Sequence, residues 1–204
     1  MGVYKLSTAG GLKTPRTNYS SFLAGNPVFI DTAYESIATV TLSSSQSNIE
    51  FTSIPATYTH LQVRGIVRSG RSAKSDDIKI TFNNDTTNVY AGHIISTLGS
   101  GITATSNSNA GAMFLYEGIP ASTTTAGIFN GFVYDVLDYK NTNKFKTVKI
   151  LSGMDANGDS KNILEYVSGL WRDTSAITSI KIEPRYGSTF VQYTQFALYG
   201  IKGA

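Results

Sequence analysis

The sequence predicts an all-β fold, an antiparallel β-sandwich of jelly-roll-like form that follows an extended N-terminal arm. From Glu35 to Ala204, short alternating apolar runs are each closed by a polar turn, at a spacing typical of sandwiches and barrels. The links between the runs are too short for crossover helices, which favours antiparallel pairing. Two regions follow from this pattern: an arm over residues 1–34 and a sandwich domain over residues 35–204.

About eleven strands are predicted in the sandwich domain. They cover residues 37–42, 48–51, 61–67, 78–82, 89–95, 113–116, 128–137, 145–151, 163–171, 177–182 and 192–201. Residues 99–111 consist of Gly, Ser, Thr, Asn and Ala with one Ile, a composition that predicts a mobile surface loop. Gly131 interrupts the longest apolar run and predicts a β-bulge there.

The first 34 residues differ from the rest of the chain. Gly and Pro residues interrupt them, so no long element fits, yet they are richer in apolar residues than a disordered tail would be. We therefore expect an extended arm that packs on its own domain, on a neighbouring subunit or on a larger assembly. The residues expected to anchor it are Tyr4, Leu6, Tyr19, Phe22, Leu23 and Phe29.

Composition excludes several classes of function. The chain has no Cys, which rules out disulfides and thiolate metal sites. Its net charge is +3 without any block of five basic residues, so a nucleic-acid surface is not predicted. No apolar run reaches the length of a membrane span, and a secretion signal is not recognised.

No catalytic residue, metal site or cofactor is predicted. His60 and His93 have no ligand or carboxylate partner at suitable spacing. The stretch from Asp155 to Asp159 starts like a calcium loop but departs from that pattern at Ser160 and Tyr166. A glycan hydrolase remains an alternative, and it would draw its carboxylates from Asp76, Asp77, Asp135 and Asp138. The adjacent Asp76 and Asp77 cannot form a facing pair alone, because neighbouring residues of a strand point to opposite faces.

Aromatic side chains offer a second alternative, a carbohydrate-binding module. Tyr and Trp combine an apolar ring with a polar tip, so they suit both cores and contact surfaces. Most of the 12 Tyr and 10 Phe are expected in the core and on strand surfaces. A possible contact face is formed by Tyr116, Tyr139, Trp171 and Tyr186.

Five segments carry a resemblance that covers nearly the whole chain. They are Tyr19 to Pro27, Tyr34 to Val40, Phe51 to Arg64, Ile78 to Asn83 and Phe196 to Lys202. Together they resemble a family of structural proteins of tailed bacteriophages. These are scaffold motifs without catalytic meaning, so the resemblance implies a virion context rather than a reaction.

The arm, the turn-rich body and this resemblance predict a non-enzymatic component of the virion exterior. Such a protein would be a tail-fibre, tail-tip or capsid-decoration subunit, held to other virion proteins by its arm and displaying its sandwich, with a host-surface glycan as a possible ligand. Closed symmetry is the rule for homo-oligomers, and a trimer is favoured here.

Overall fold

A computed structural model describes residues 33–98, 101–156, 162–186 and 189–203, and these ranges contain twelve strands and no helix. The strands are β1 (Tyr34–Thr41), β2 (Ile49–Phe51), β3 (His60–Val67), β4 (Ser75–Phe82), β5 (Tyr90–Leu98), β6 (Gly101–Ala110), β7 (Met113–Pro120), β8 (Asn130–Leu137), β9 (Lys146–Met154), β10 (Ile163–Trp171), β11 (Ile180–Pro184) and β12 (Gln195–Ile201). The prediction of an all-β sandwich is confirmed.

The strand order confirms the jelly-roll form of the sandwich. The larger sheet has the order β1-β12-β3-β8-β9-β10-β5-β6, and the smaller one has β2-β11-β4-β7. In a jelly roll, one long hairpin of paired strands is folded over two sheets. The same pairs occur here: β1 with β12, β2 with β11, β3 with β8 and β4 with β7. The remaining strands β5, β6, β9 and β10 all extend the larger sheet beyond β8.

This extension leaves a step in the sandwich. The smaller sheet ends at β7, whereas the larger sheet continues by four strands past β8. Strand β7 packs against β9, β10 and β5, so it lies on the inner face of the extension. Strand β7 does not cover the inner face of β6. The residues on that face are polar: Thr103, Thr105 and Asn107.

Alternation of apolar and polar residues places the core between the sheets. Strand β10, for example, buries every second residue from Ile163 to Trp171. Four aromatic rings form the centre of one half of the core, with centroids 5.5–6.4 Å apart. These rings belong to Phe82, Tyr90, Tyr134 and Trp171.

Two local predictions are wrong. The predicted loop contains β6, because its Thr and Ile residues suit an exposed strand and β5 offers a hydrogen-bonding edge from Leu98 to Tyr90. Strand β6 is the reason why the structure has twelve described strands where about eleven were predicted. The bulge predicted at Gly131 is absent, since β8 pairs in unbroken register with both β3 and β9.

The predicted anchoring arm lies outside the described residues, apart from its last two positions. Its anchoring role therefore stays a prediction. This applies to Tyr4, Leu6, Tyr19, Phe22, Leu23 and Phe29.

Candidate functional site

A polar groove with a cavity volume of about 570 Å³ lies at the step between the two sheets. Hydroxyl groups of β5 and β6 contribute one part of its lining. The rest comes from β4, β7, the first residue of β10, the loop before β4 and the turn after β11. We call it the step groove; its principal residues are Arg71, Asp77, Thr103, Thr105, Tyr116 and Tyr186.

A bulge in β7, opposite the start of β4, shapes the base of the step groove. The register of β4 against β7 shifts between Asp76 and Ile78, and both Asp76 and Asp77 are buried. Asp76 accepts a hydrogen bond from the Ser69 hydroxyl at 2.6 Å. Asp77 instead accepts the backbone N–H of Glu117 at 2.6 Å, so the two carboxylates bind different partners.

Arginine side chains hold the aromatic rings of the groove in place. The Asp77 carboxylate also binds the Arg185 guanidinium at 2.9 Å. That guanidinium lies 5.2 Å from the ring centroid of Tyr116 and 5.4 Å from that of Tyr186, and Arg71 lies only 3.9 Å from the Tyr186 ring. Each contact is a cation–π arrangement, and together they restrict the ring orientations before any ligand arrives.

A buried acid stands behind the groove. Glu165 on β10 is fully buried, and one of its oxygens accepts the backbone N–H of Tyr116 at 3.2 Å. Its other oxygen, Oε2, finds no hydrogen-bond partner among the described residues. Burial raises the pKa of Glu165 to about 8, with smaller contributions from the charges of Asp77 and Glu117. Glu165 is therefore protonated near neutral pH.

Neither Asp77 nor Glu165 offers the groove a free carboxylate. Both oxygens of Asp77 are engaged, by Arg185 and by the N–H of Glu117. Glu165 is not part of the groove lining and is shielded from solvent. The lining instead combines hydroxyl groups with the ring of Tyr186, which is 52% exposed. This combination suits a polar ligand that carries one flat apolar face.

A second surface lies on the outer face of the larger sheet. Large aliphatic and aromatic side chains there are 45–76% exposed and come from β3, β9, β10, β5 and β6. We call this surface the apolar band; it comprises Ile66, Ile95, Ile102, Leu151, Leu164 and Tyr166. Within it, Gly131 and Gly153 face each other on β8 and β9 and help to form a hollow of about 540 Å³.

The apolar band ends at a row of polar contacts farther along the same strands. Gln62 donates to Asp135 at 2.7 Å, and Lys149 donates to the Ser168 hydroxyl at 2.8 Å. The sheet face is thus divided into an apolar part and a polar part.

The contact face predicted from sequence is only partly assembled. Tyr116 and Tyr186 both line the step groove. Tyr139 and Trp171 are each 1% exposed, which places them in the core and excludes them from any contact face. Their polar tips explain the burial: the Tyr139 hydroxyl donates to the carbonyl of Pro55, and the Trp171 indole donates to Asp85.

The four candidate hydrolase carboxylates are dispersed. Asp76 and Asp77 lie at the start of β4, Asp135 lies on the outer face, and Asp138 follows β8. Asp138 pairs with Lys144, and this interaction together with the nearby His60 keeps the pKa of Asp138 low despite some burial. His60 accepts the backbone N–H of Asp138 at 2.9 Å, and its Nδ1 lies 3.6 Å from the Asp138 carboxylate.

Two further features of the described ranges concern metal ions and membranes. No group of three or more His, Asp or Glu residues is placed to hold a metal ion. No helix of membrane-spanning length and hydropathy occurs in those ranges either. The calcium-like stretch that begins at Asp155 extends beyond the described residues after Ala156.

Comparison with known proteins adds little. No protein-family model matches the chain, and a search of curated proteins found no match. Among solved structures, an alginate lyase in complex with an alginate tetrasaccharide is similar over 82% of this chain and 81% of that chain, at 11% identity and a TM-score of 0.28. A likeness at this TM-score supports no inference about function.

Sequence reasoning missed several residues that line the step groove or lie directly behind its lining. Thr103 and Thr105 lie in the stretch interpreted as a loop, although their alternation was a usable strand signal. Arg185 stands directly before Tyr186 at a turn, but its ion pair with Asp77 spans 108 residues of sequence. Glu165 alternates with buried apolar residues of β10, and that pattern predicts an inward-facing side chain.

Proposed function

We propose that the chain is a non-enzymatic structural protein of a bacteriophage virion, displayed on the particle exterior. It would serve as a tail-fibre, tail-tip or capsid-decoration subunit, with residues 1–34 anchoring it to other virion proteins. The resemblance of five segments to phage structural proteins supports this role. The jelly roll is compatible with it, since this fold is common among capsid and lectin domains, although a fold alone does not define a function.

The observation that carries the proposal is the apolar band. Monomeric soluble proteins rarely expose contiguous apolar surface unless it binds another molecule. Here Ile102 is 76% exposed, and Ile95, Leu164 and Leu151 are each more than half exposed. These side chains share one face of one sheet, which suits a subunit that is covered by neighbours in an assembly.

The proposed virion role is tested by asking whether the chain is part of purified phage particles. Mass spectrometry of purified particles should detect the chain, and its copy number should separate decoration (hundreds of copies) from a tail part (a handful). Deleting residues 1–30 should leave a folded domain that no longer joins particles. Normal incorporation of the truncated chain would contradict the anchoring role, and absence of the full chain from particles would contradict the virion role.

A second candidate function is glycan binding, which the step groove favours. The half-exposed ring of Tyr186, beside Arg71, offers an apolar contact for a sugar, and Thr103 and Thr105 add hydroxyl groups for hydrogen bonding. Asp77 and Arg185 neutralise each other at its base. This charge balance favours a neutral oligosaccharide over an acidic one.

Glycan arrays and titration calorimetry on the purified protein test this second function. Tyr186→Ala should weaken binding at least tenfold while the protein stays folded, because its ring is half exposed. Tyr193→Ala is the matched control, since Tyr193 is 69% exposed and does not line the groove. Absence of binding at millimolar sugar, or equal losses in both variants, would contradict glycan binding by the groove.

A further inference from the structure

The two sheets of the sandwich have four edges, formed by β1, β6, β2 and β7. Unprotected edges pair with other chains, so proteins usually shorten them, bend them or place charges and Pro on them. Strand β1 carries Glu35 and a bulge, and β2 has three residues with Glu50 at its centre. Strand β7 carries Glu117, Pro120 and a bulge against β4.

Strand β6 lacks the charge, the Pro and the short length that protect the other edges. It is ten residues long and contains neither a charged residue nor Pro. Its register against β5 is continuous from Gly101 to Asn107, and the shift in this ladder falls only after that point. Residues 101–106 are all exposed. The first seven residues therefore form a regular strand whose second side has no neighbour among the described strands.

The side chains of this edge fit a continuation of the sheet. Ile102 lies opposite Thr97 on β5, on the outer face that also carries Ile95. Ala104 lies opposite Ile95 on the same face, whereas Thr103 and Thr105 point to the groove side. A strand added beside β6 would thus extend the apolar band on one face and the polar lining on the other.

We propose that residues 101–107 pair antiparallel with the same residues of a second copy of this chain. The required partner is an uncharged, regular strand with apolar side chains on one face and hydroxyls on the other, and β6 is such a strand. Two-fold pairing is also the commonest symmetry of homo-oligomers. The two larger sheets would then be continuous across the interface.

The register between the two β6 strands follows if as many residues as possible take part in the pairing. When all seven residues take part, Ala104 lies opposite Ala104 of the second copy, and Thr103 lies opposite Thr105. Positions that face each other then have the same parity, so the outer faces of the two sheets coincide. This contact is two-fold, so an assembly with three-fold symmetry would need a further interface. Such pairing depends on the β6 edge alone and does not require the virion role.

Cysteine cross-linking tests the pairing directly, because the natural chain has no Cys. Ala104→Cys should give a covalent dimer with a short bis-maleimide at micromolar protein concentration. Thr39→Cys is the matched control, since Thr39 is exposed on β1 at the opposite edge of the same sheet. It should remain uncross-linked. No cross-linking of Ala104→Cys, or equal cross-linking of both variants, would overturn the proposal.

Charge insertion provides the second test on the full chain. Light scattering should give the unmodified protein twice its chain mass of 21.9 kDa. The double variant Ile102→Lys and Ala104→Lys should be monomeric and should still unfold cooperatively, because both positions are exposed, whereas Thr39→Lys should stay dimeric. A monomeric unmodified protein, or a dimer that persists in the double variant, would overturn the proposal.

Discussion

The indole of Trp171 donates its N–H to Oδ2 of Asp85 at 3.0 Å. Trp171 ends β10 and is buried in the aromatic cluster, whereas Asp85 lies in the turn between β4 and β5. The turn itself needs two Asn residues with positive φ, Asn83 and Asn84. The bond therefore satisfies a buried donor and ties the turn to the core.

We predict that Asp85→Ala lowers the free energy of unfolding at pH 7 by about 1–3 kcal/mol, because the indole donor loses its partner. Burial alone would raise the pKa of Asp85, but hydrogen bonds from Thr87 and Trp171 outweigh it and hold that pKa below its usual range. Asp85 therefore contributes to the stability of the fold at pH values above its pKa in the unfolded chain. This contribution is lost as the pH falls through its lower pKa in the folded chain. Denaturant titrations at pH 7 and pH 3 measure both effects. An equal difference at both pH values would contradict this account.

Glu165→Gln is expected to stabilise the protein at neutral pH. Between about pH 4.5 and 8 the folded chain holds a proton on Glu165 that the unfolded chain has released, so stability falls as the pH rises across this window. Gln mimics the protonated acid and should gain about 3 kcal/mol at pH 7, from roughly 1.4 kcal/mol per pKa unit. Melting temperatures of the two proteins should converge near pH 4.5. Glu183→Gln on β11, away from this site, is the control and should not reproduce the pH trend.

Lys146→Met should destabilise the turns at one end of the larger sheet. The fully buried Lys146 donates its ammonium to three carbonyl oxygens, those of Asn141, Lys144 and Thr174, at 2.6–3.1 Å. Loss of these bonds leaves the carbonyls without a donor, at a cost of about 2 kcal/mol. Lys140→Met is the matched control, because the exposed Lys140 donates to a single carbonyl among the described residues, that of Ala56. Denaturant unfolding should show a loss at least twice as large for Lys146→Met, and equal losses would contradict the assignment.

Gly200→Ala should destabilise the protein through a steric clash. A Cβ atom at Gly200 would lie 2.3 Å from ring carbons of Tyr58, whose hydroxyl donates to Glu35 at 2.9 Å. The ring cannot withdraw freely, so we expect a loss of about 1–3 kcal/mol. In a Tyr58→Ala background the same substitution should cost little, and a double-mutant cycle measures the coupling. Additive effects would show that the ring is not the obstacle.

The strands that alternate strongly could be predicted from sequence, and long-range partners could not. The limits of β10, Ile163–Trp171, match the predicted run because every second residue is apolar or aromatic. Whether an aromatic residue is buried or exposed depends on partners far away in the sequence. Tyr139 and Trp171 are buried because Pro55 and Asp85, 84 and 86 residues away, accept their polar hydrogens. Tyr186 stays exposed beside Arg71, and nothing local in the sequence distinguishes these cases.

The groove and the free edge were hidden from sequence reasoning for a related reason. Both depend on β6, whose composition is that of a linker. An exposed edge strand needs little hydrophobic burial when a neighbouring strand supplies hydrogen bonds, so its residues carry a weak signal. The step groove then requires the whole topology, because it exists only where the smaller sheet ends.

The four added strands make the fold modular. The eight strands of the jelly roll pair among themselves, whereas β6 pairs only with β5 among the described strands. Substitutions between Gly101 and Asn107 can therefore change part of the groove lining and the free edge together while the central pairings remain intact. A ligand held in the step groove and a second chain paired at the free edge would therefore both respond to substitutions in this one short segment.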